Sequence, residues 1–134
     1  MRDYDYCFAC GKKNLCGLKL DFYREGEWVC ADFVPGEYYQ GYPNILHGGI
    51  TSTLMDEAMA KALIFDNIIA LSIKLEISLR RKVEIGERVR VKAKLVEKRR
   101  KIYILEAIVE GIDKKELKAS AKGFFHEVKL EENS

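Results

Sequence analysis

The chain has 134 residues, 48% of them apolar and 33% charged, which fits one globular domain with one core. With 23 Lys and Arg against 21 Asp and Glu, the near-neutral balance gives no case for nucleic-acid binding. No apolar run reaches signal-peptide or membrane-spanning length, so a cytoplasmic protein without a membrane partner is expected. In that compartment the four cysteines are thiols or metal ligands rather than disulfides.

Residues 1–16 carry aromatics, Cys7, Cys10, Gly11 and Cys16 without periodicity, and read as a leader loop. Leu18, Leu20 and Phe22 then alternate with Lys19, Asp21 and Tyr23, as do Val29, Ala31 and Phe33 with their neighbours. With Glu25-Gly26-Glu27 between them, the two runs predict a hairpin. Pro35-Gly36 closes the second run, and a turn-rich connection leads to His47.

From Ile50 to about Phe65, apolar side chains fall nearly all round a helical cylinder, which predicts a helix buried on most sides. Leu71, Ile73, Leu75, Ile77 and Leu79 alternate strictly with polar residues and predict a half-buried strand. After a turn at 84–87, Val89, Val91, Ala93 and Leu95 alternate likewise. A charged turn at Lys98 to Lys101, a strand from Ile102 to Glu110, a turn at 111–114 and a strand from Leu117 to about Val128 follow. Residues 131–134 should fray.

Two strands, one long helix and four strands make an α+β domain over residues 17–130. One helix cannot cover both faces of a six-stranded sheet, so the sheet is expected to curl around it. The edges left uncovered favour self-association.

The chemistry concentrates at His47-Gly48-Gly49, followed nine residues after the histidine by Asp56 inside the helical run. A glycine turn opening a helix presents unpaired N–H groups, which stabilise developing negative charge. A carboxylate shielded from water is a better base than one in solution. Glu57 has Lys61 four residues on, the spacing of an ordinary helix-surface ion pair. Asp56 has Ser52, Thr53 and Ala60 around it and no such lysine. His126, in the last strand, lacks any comparable context and reads as structural.

The motif Gln40-Gly41-x-Pro43-x-x-x-His47-Gly48-Gly49-x(6)-Asp56-Glu57-Ala58 and the order of elements resemble hotdog-fold acyl-CoA thioesterases of the phenylacetate-degradation (PaaI-like) branch. The opening Cys7-Phe8-Ala9-Cys10-Gly11-x-x-Asn14-x-x-Gly17-Leu18 resembles the leader of some members of that superfamily. The resemblance implies an antiparallel sheet wrapped around a central helix, an acyl-CoA substrate, and a homodimer or homotetramer with sites between subunits. In such a site the Gly48 N–H binds the thioester carbonyl oxygen, beside Gly49, and His47 supports the geometry. Asp56 of the partner subunit acts as nucleophile or as base for water. No cofactor is needed, because water is the second substrate.

The family places an amide six residues before the histidine; Gly41 stands there, with Gln40 one residue earlier and Asn44 nearby as the available amides. Ser72 matches a family serine or threonine that orients water or the carboxylate, although strand alternation sets it on the face opposite Leu71 and Ile73. Arg80, Arg81 and Lys82 are candidates for coenzyme A phosphates, or simply a solvated face. Cys7, Cys10 and Cys16 have partial zinc spacing without a fourth ligand, so free thiols and no metal are expected. The rival functions are a non-catalytic acyl-CoA or lipid-binding module and a hotdog acyl-thioester hydratase or dehydratase.

Overall fold

The computed structural model describes residues 4–129; the tail expected to fray, 131–134, lies outside them. The elements run β1 (Tyr23–Glu25), β2 (Trp28–Phe33), a 3-10 turn (Glu37–Tyr39), α1 (Gly48–Ile64), β3 (Ala70–Leu79), β4 (Val89–Arg99), β5 (Ile102–Gly111) and β6 (Leu117–Glu127). All six strands form one antiparallel sheet in the order β1-β2-β4-β5-β6-β3. This is the hotdog architecture, with β1 and β3 at the two edges.

The helix lies against the inner face of the sheet. Leu54, Met55, Ala58, Met59, Ala62 and Leu63 form its fully covered stripe. They meet Val89, Val91 and Ala93 of β4, Leu105, Ala107 and Val109 of β5, and Ala119 and Phe125 of β6 within one core. The remaining helical side chains are mostly half-buried, as the all-round apolar pattern requires. The helix passes so close to β6 that a Cβ on Gly123 would meet Met59 Sδ at 2.8 Å. Glycine at that position is a packing requirement.

Two expectations change. The first strand covers only Tyr23–Glu25, because Leu18 and Leu20 belong to the leader's packing. Their N–H groups donate to Phe8 and Ala9 carbonyls at 2.8 and 2.9 Å, and Lys19 has a left-handed φ of 55°. Both leucines are buried, so the alternation reports burial but not a strand. The charged turn shortens as well: β4 continues to Arg99, and the hairpin turns on Arg100 and Lys101 alone.

The edge strand β3 departs from simple alternation in a way that matters for the site. Its register on β6 shifts between Ser72 and Lys74, leaving Ile73 as the extra residue of a bulge. Ser72 is therefore opposite the buried Phe125, while Leu75, Ile77 and Leu79 are opposite Gly123, Ala121 and Ala119. All four face the helix side. Leu71, opposite His126, faces away.

Candidate active site

The connection from β2 to α1 holds the start of the helix in place. Gly41 N–H donates to the Ile45 carbonyl at 3.0 Å, and Leu46 N–H donates to Val83, beyond β3, at 2.8 Å. His47 N–H donates to the Tyr39 carbonyl at 2.9 Å. With φ −59° and ψ 132°, His47 is the N-cap of α1, and its Nδ1 accepts the Gly49 N–H at 2.9 Å. In the neutral ring that bond places the proton on Nε2.

The N–H of Gly48 stays available. Gly48 is the first helical residue, where no intrahelical acceptor exists, and its N–H has no partner among the described residues. A Cβ here would meet Leu79 Cδ1 at 3.0 Å, so the peptide lies against the end of β3. A cleft of about 530 Å³ opens over it, bounded by His47, Gly48, Leu79, Arg80, Arg81 and Lys82 among others. On the other side of His47, a second cleft of about 800 Å³ is lined by Phe8, Leu15, Tyr38, Gln40, Gly49 and Thr53. His47 is the ridge between the two.

Asp56 is half-buried in the flank of α1. Burial, and then the charge of Glu57, push its carboxyl above the usual aspartate value, and a hydrogen bond with Ser72 opposes them. The bulge at Ile73 is what turns the Ser72 hydroxyl toward Asp56; unbroken alternation from Leu75 would point it outward. A residue that sequence left between two readings is thus beside the carboxylate.

Asp56 and Gly48 are eight residues apart on one helix, roughly 12 Å along its axis. That span is too long for both to act on a single carbonyl carbon. Within one chain the Gly48 N–H and the Asp56 carboxylate therefore do not meet.

The other expected residues divide. Gln40 is at the rim of the second cleft, but its amide closes the loop: Nε2 donates to the Glu37 carbonyl at 2.8 Å, and Oε1 accepts the Asn44 N–H. Asn44 takes a left-handed φ of 69°, and its carbonyl accepts Ile85 N–H at 3.0 Å. Both serve to shape the loop. Arg80 and Arg81 are tied by their N–H groups to the Lys118 carbonyl at 2.8 and 3.0 Å, with side chains exposed at the first cleft. Arg81 also pairs with Glu116 at 3.7 Å. Lys82 completes this basic wall.

Glu57 does not make the expected ion pair. The Lys61 ammonium stands over the Tyr4 ring at 5.0 Å, and the Glu57 carboxylate faces the leader, where Cys7 Sγ is 3.8 Å from Oε2. Sequence reasoning also missed Tyr38, Leu15 and Phe8 as cleft walls. Phe8 and Leu15 come from the irregular leader and Tyr38 from a single 3-10 turn, whose placement no periodicity encodes.

The thioesterase superfamily model matches residues 43–117, from the loop before His47 to the start of β6, and the chain belongs to that family. It is similar to the mouse acyl-coenzyme A thioesterase THEM5, with 30% identity over 112 residues, 82% of this chain and 44% of that protein. The chain spans less than half the length of the curated relatives it matches. In fold it is similar to the E. coli PaaI protein of the phenylacetic acid degradation operon, at TM-score 0.77 and 16% identity over 84% of this chain and 81% of that one. A Streptococcus mutans protein bound to acetyl CoA is similar at TM-score 0.75 and 18% identity, over 81% and 88%.

Proposed function

We propose that this protein is a PaaI-like acyl-CoA thioesterase that hydrolyses a thioester to a free acid and coenzyme A, at sites shared between two subunits. The carrying observation is the Gly48 N–H, without a partner among the described residues, beside a cleft with a basic wall and on the helix that bears Asp56. The thioester oxygen accepts from Gly48 N–H as the carbonyl is attacked, and the helix dipole adds to that stabilisation. Asp56 of the partner subunit removes a proton from water, or attacks directly to form an anhydride that water then opens. Either route expels the coenzyme A thiolate, which leaves as thiol after taking up a proton.

Ser72 orients the Asp56 carboxylate, and His47 fixes the peptide that carries the oxyanion donor. Arg80, Arg81 and Lys82 suit the phosphates of coenzyme A. The known relatives with acyl-CoA thioesterase names, and the acetyl CoA bound by the S. mutans protein, support the substrate class. Self-association is supported by β3, an edge strand of ten residues whose Leu71, Ile73 and Leu79 are 62, 59 and 55% exposed in the single chain. A homodimer closing on that edge, or a tetramer of such dimers, covers it. A cytoplasmic location fits the four unpaired thiols, and no helix among the described residues is long and apolar enough to cross a membrane.

Release of free thiol from a panel of acyl-CoAs tests the reading. Wild type should turn over at least one class, and Asp56→Asn should bind it with turnover reduced on the order of 100-fold or more. Saturable binding by wild type without thiol release would make the protein a binding module instead.

A further inference from the structure

Outside the thioesterase machinery, the leader and the central helix bring three metal-ligating side chains together. Cys7 Sγ, Cys10 Sγ and a Glu57 carboxylate oxygen all lie within 4.8 Å of one another, and Cys7 Sγ is 3.8 Å from Glu57 Oε2. Ligands at two corners of a tetrahedral zinc are roughly 3.5–3.8 Å apart, so only a small contraction is needed. Free thiols were expected because Cys7, Cys10 and Cys16 lacked a fourth ligand; Cys16 is exposed on the wall of the second cleft and does not join the cluster, whose third member is Glu57.

The turn between the two cysteines is shaped for this. Gly11 N–H donates to the Cys7 carbonyl at 2.8 Å, and the chain folds back so tightly that a Cβ on Gly11 would lie 2.3 Å from the Asp5 carbonyl oxygen. That turn faces both thiols to the flank of α1.

We infer that Cys7, Cys10 and Glu57 form a zinc site that clips the leader to the catalytic helix. Two thiolates and a carboxylate suit zinc, with water in the fourth position. Binding replaces the two thiol protons, which are released to solvent. The resulting site carries one net negative charge, and the neighbouring Lys61 ammonium offsets it. Because the leader also supplies Phe8, Leu15 and Cys16 to the second cleft, the clip fixes that cleft's wall beside His47. The inference does not depend on the protein being a thioesterase.

The full chain is reduced, stripped with chelator, and titrated with cobalt(II) as a spectroscopic probe, then with zinc. One equivalent of cobalt should produce thiolate-to-cobalt charge-transfer absorption, and one equivalent of zinc should abolish it. Cys10→Ser should weaken zinc binding by at least about 100-fold, and Glu57→Gln, which keeps the side-chain volume, by at least about 10-fold. Cys16→Ser should bind as wild type does. Circular dichroism of each variant separates loss of a ligand from loss of fold. Failure of the reduced, folded wild type to take up either metal would overturn the site. So would unchanged affinity in folded Cys10→Ser and Glu57→Gln.

Discussion

At the scale of single residues, His47 and Gly48 divide the tasks at the start of α1. The imidazole takes the Gly49 N–H, and the Gly48 N–H, without a partner among the described residues, is the proposed donor to a substrate oxygen. The division can be tested cleanly, because proline is tolerated at the first helical position and removes only the N–H. His47 already has the extended backbone that a following proline demands. Leu79 Cδ1, 3.0 Å from the new Cβ among the described residues, is the end of a flexible side chain. Gly48→Pro should therefore fold normally by circular dichroism and lose about 100- to 1,000-fold in kcat, the usual cost of one oxyanion donor. Unchanged kcat would remove Gly48 from the site. The sequence signalled this pair through a glycine turn next to a histidine. It could not decide between Glu57 and Asp56 for the right reason, since Glu57 turns to the leader thiols and not to Lys61.

Among the elements, β3 carries information that its alternation conceals. Five apolar residues at every second position read as one buried face. The bulge at Ile73 instead sends Leu71 outward and brings Ser72 inward with Leu75, Ile77 and Leu79. A bulge adds a residue without altering composition, so nothing in the local pattern announces it. The helix and strands β4 to β6 were legible because both their faces have fixed environments within the chain. The edge strand was not, because it pairs on one side only and its apolar residues stay exposed in the single chain. Leu71 and Ile73 are solvent-facing in the single chain, so Leu71→Lys with Ile73→Lys should leave the protomer folded. Sedimentation should then find monomers without thioesterase activity. Fully active monomers would contradict a site built from two chains.

At the scale of the whole molecule, one charged cluster joins the segments that lead into β4 and β6 to the end of β3. Lys118, 4% exposed in β6, reaches Glu87 before β4 at 2.9 Å and Glu116 before β6 at 3.2 Å. Its carbonyl also fixes Arg80 and Arg81, which ties the cluster to the basic wall of the first cleft. Burial works against the ammonium, but hydrogen bonds to Glu87 and Glu116 outweigh it and raise its pKa. Burial likewise works against Glu87, yet the bond from Lys118 draws its pKa below the ordinary 4.5. A depressed carboxylate contributes stability that is complete above 4.5 and lost as pH falls through the folded value. A raised lysine contributes stability that is complete below 10.5 and lost as pH rises through its folded value. Lys118→Met should cost about 2 kcal/mol near neutrality, below the usual 3–5 for a broken buried pair because both carboxylates keep some water. Thermal melts should show that difference shrinking as pH falls below 4.5. A difference independent of pH would mean that lost packing, not charge, was responsible.

The separation of roughly 12 Å between Gly48 and Asp56 on one helix makes subunit sharing the central claim. The most direct measurement mixes two inactive chains, Gly48→Pro and Asp56→Ala, under conditions that exchange subunits. In a hybrid dimer one site carries both defects, and the other joins an intact Gly48 to an intact Asp56 from the partner. The account predicts that acyl-CoA hydrolysis reappears on mixing, toward about a quarter of the wild-type rate when exchange is statistical. Persistent inactivity of a mixture verified to contain hybrids would contradict it.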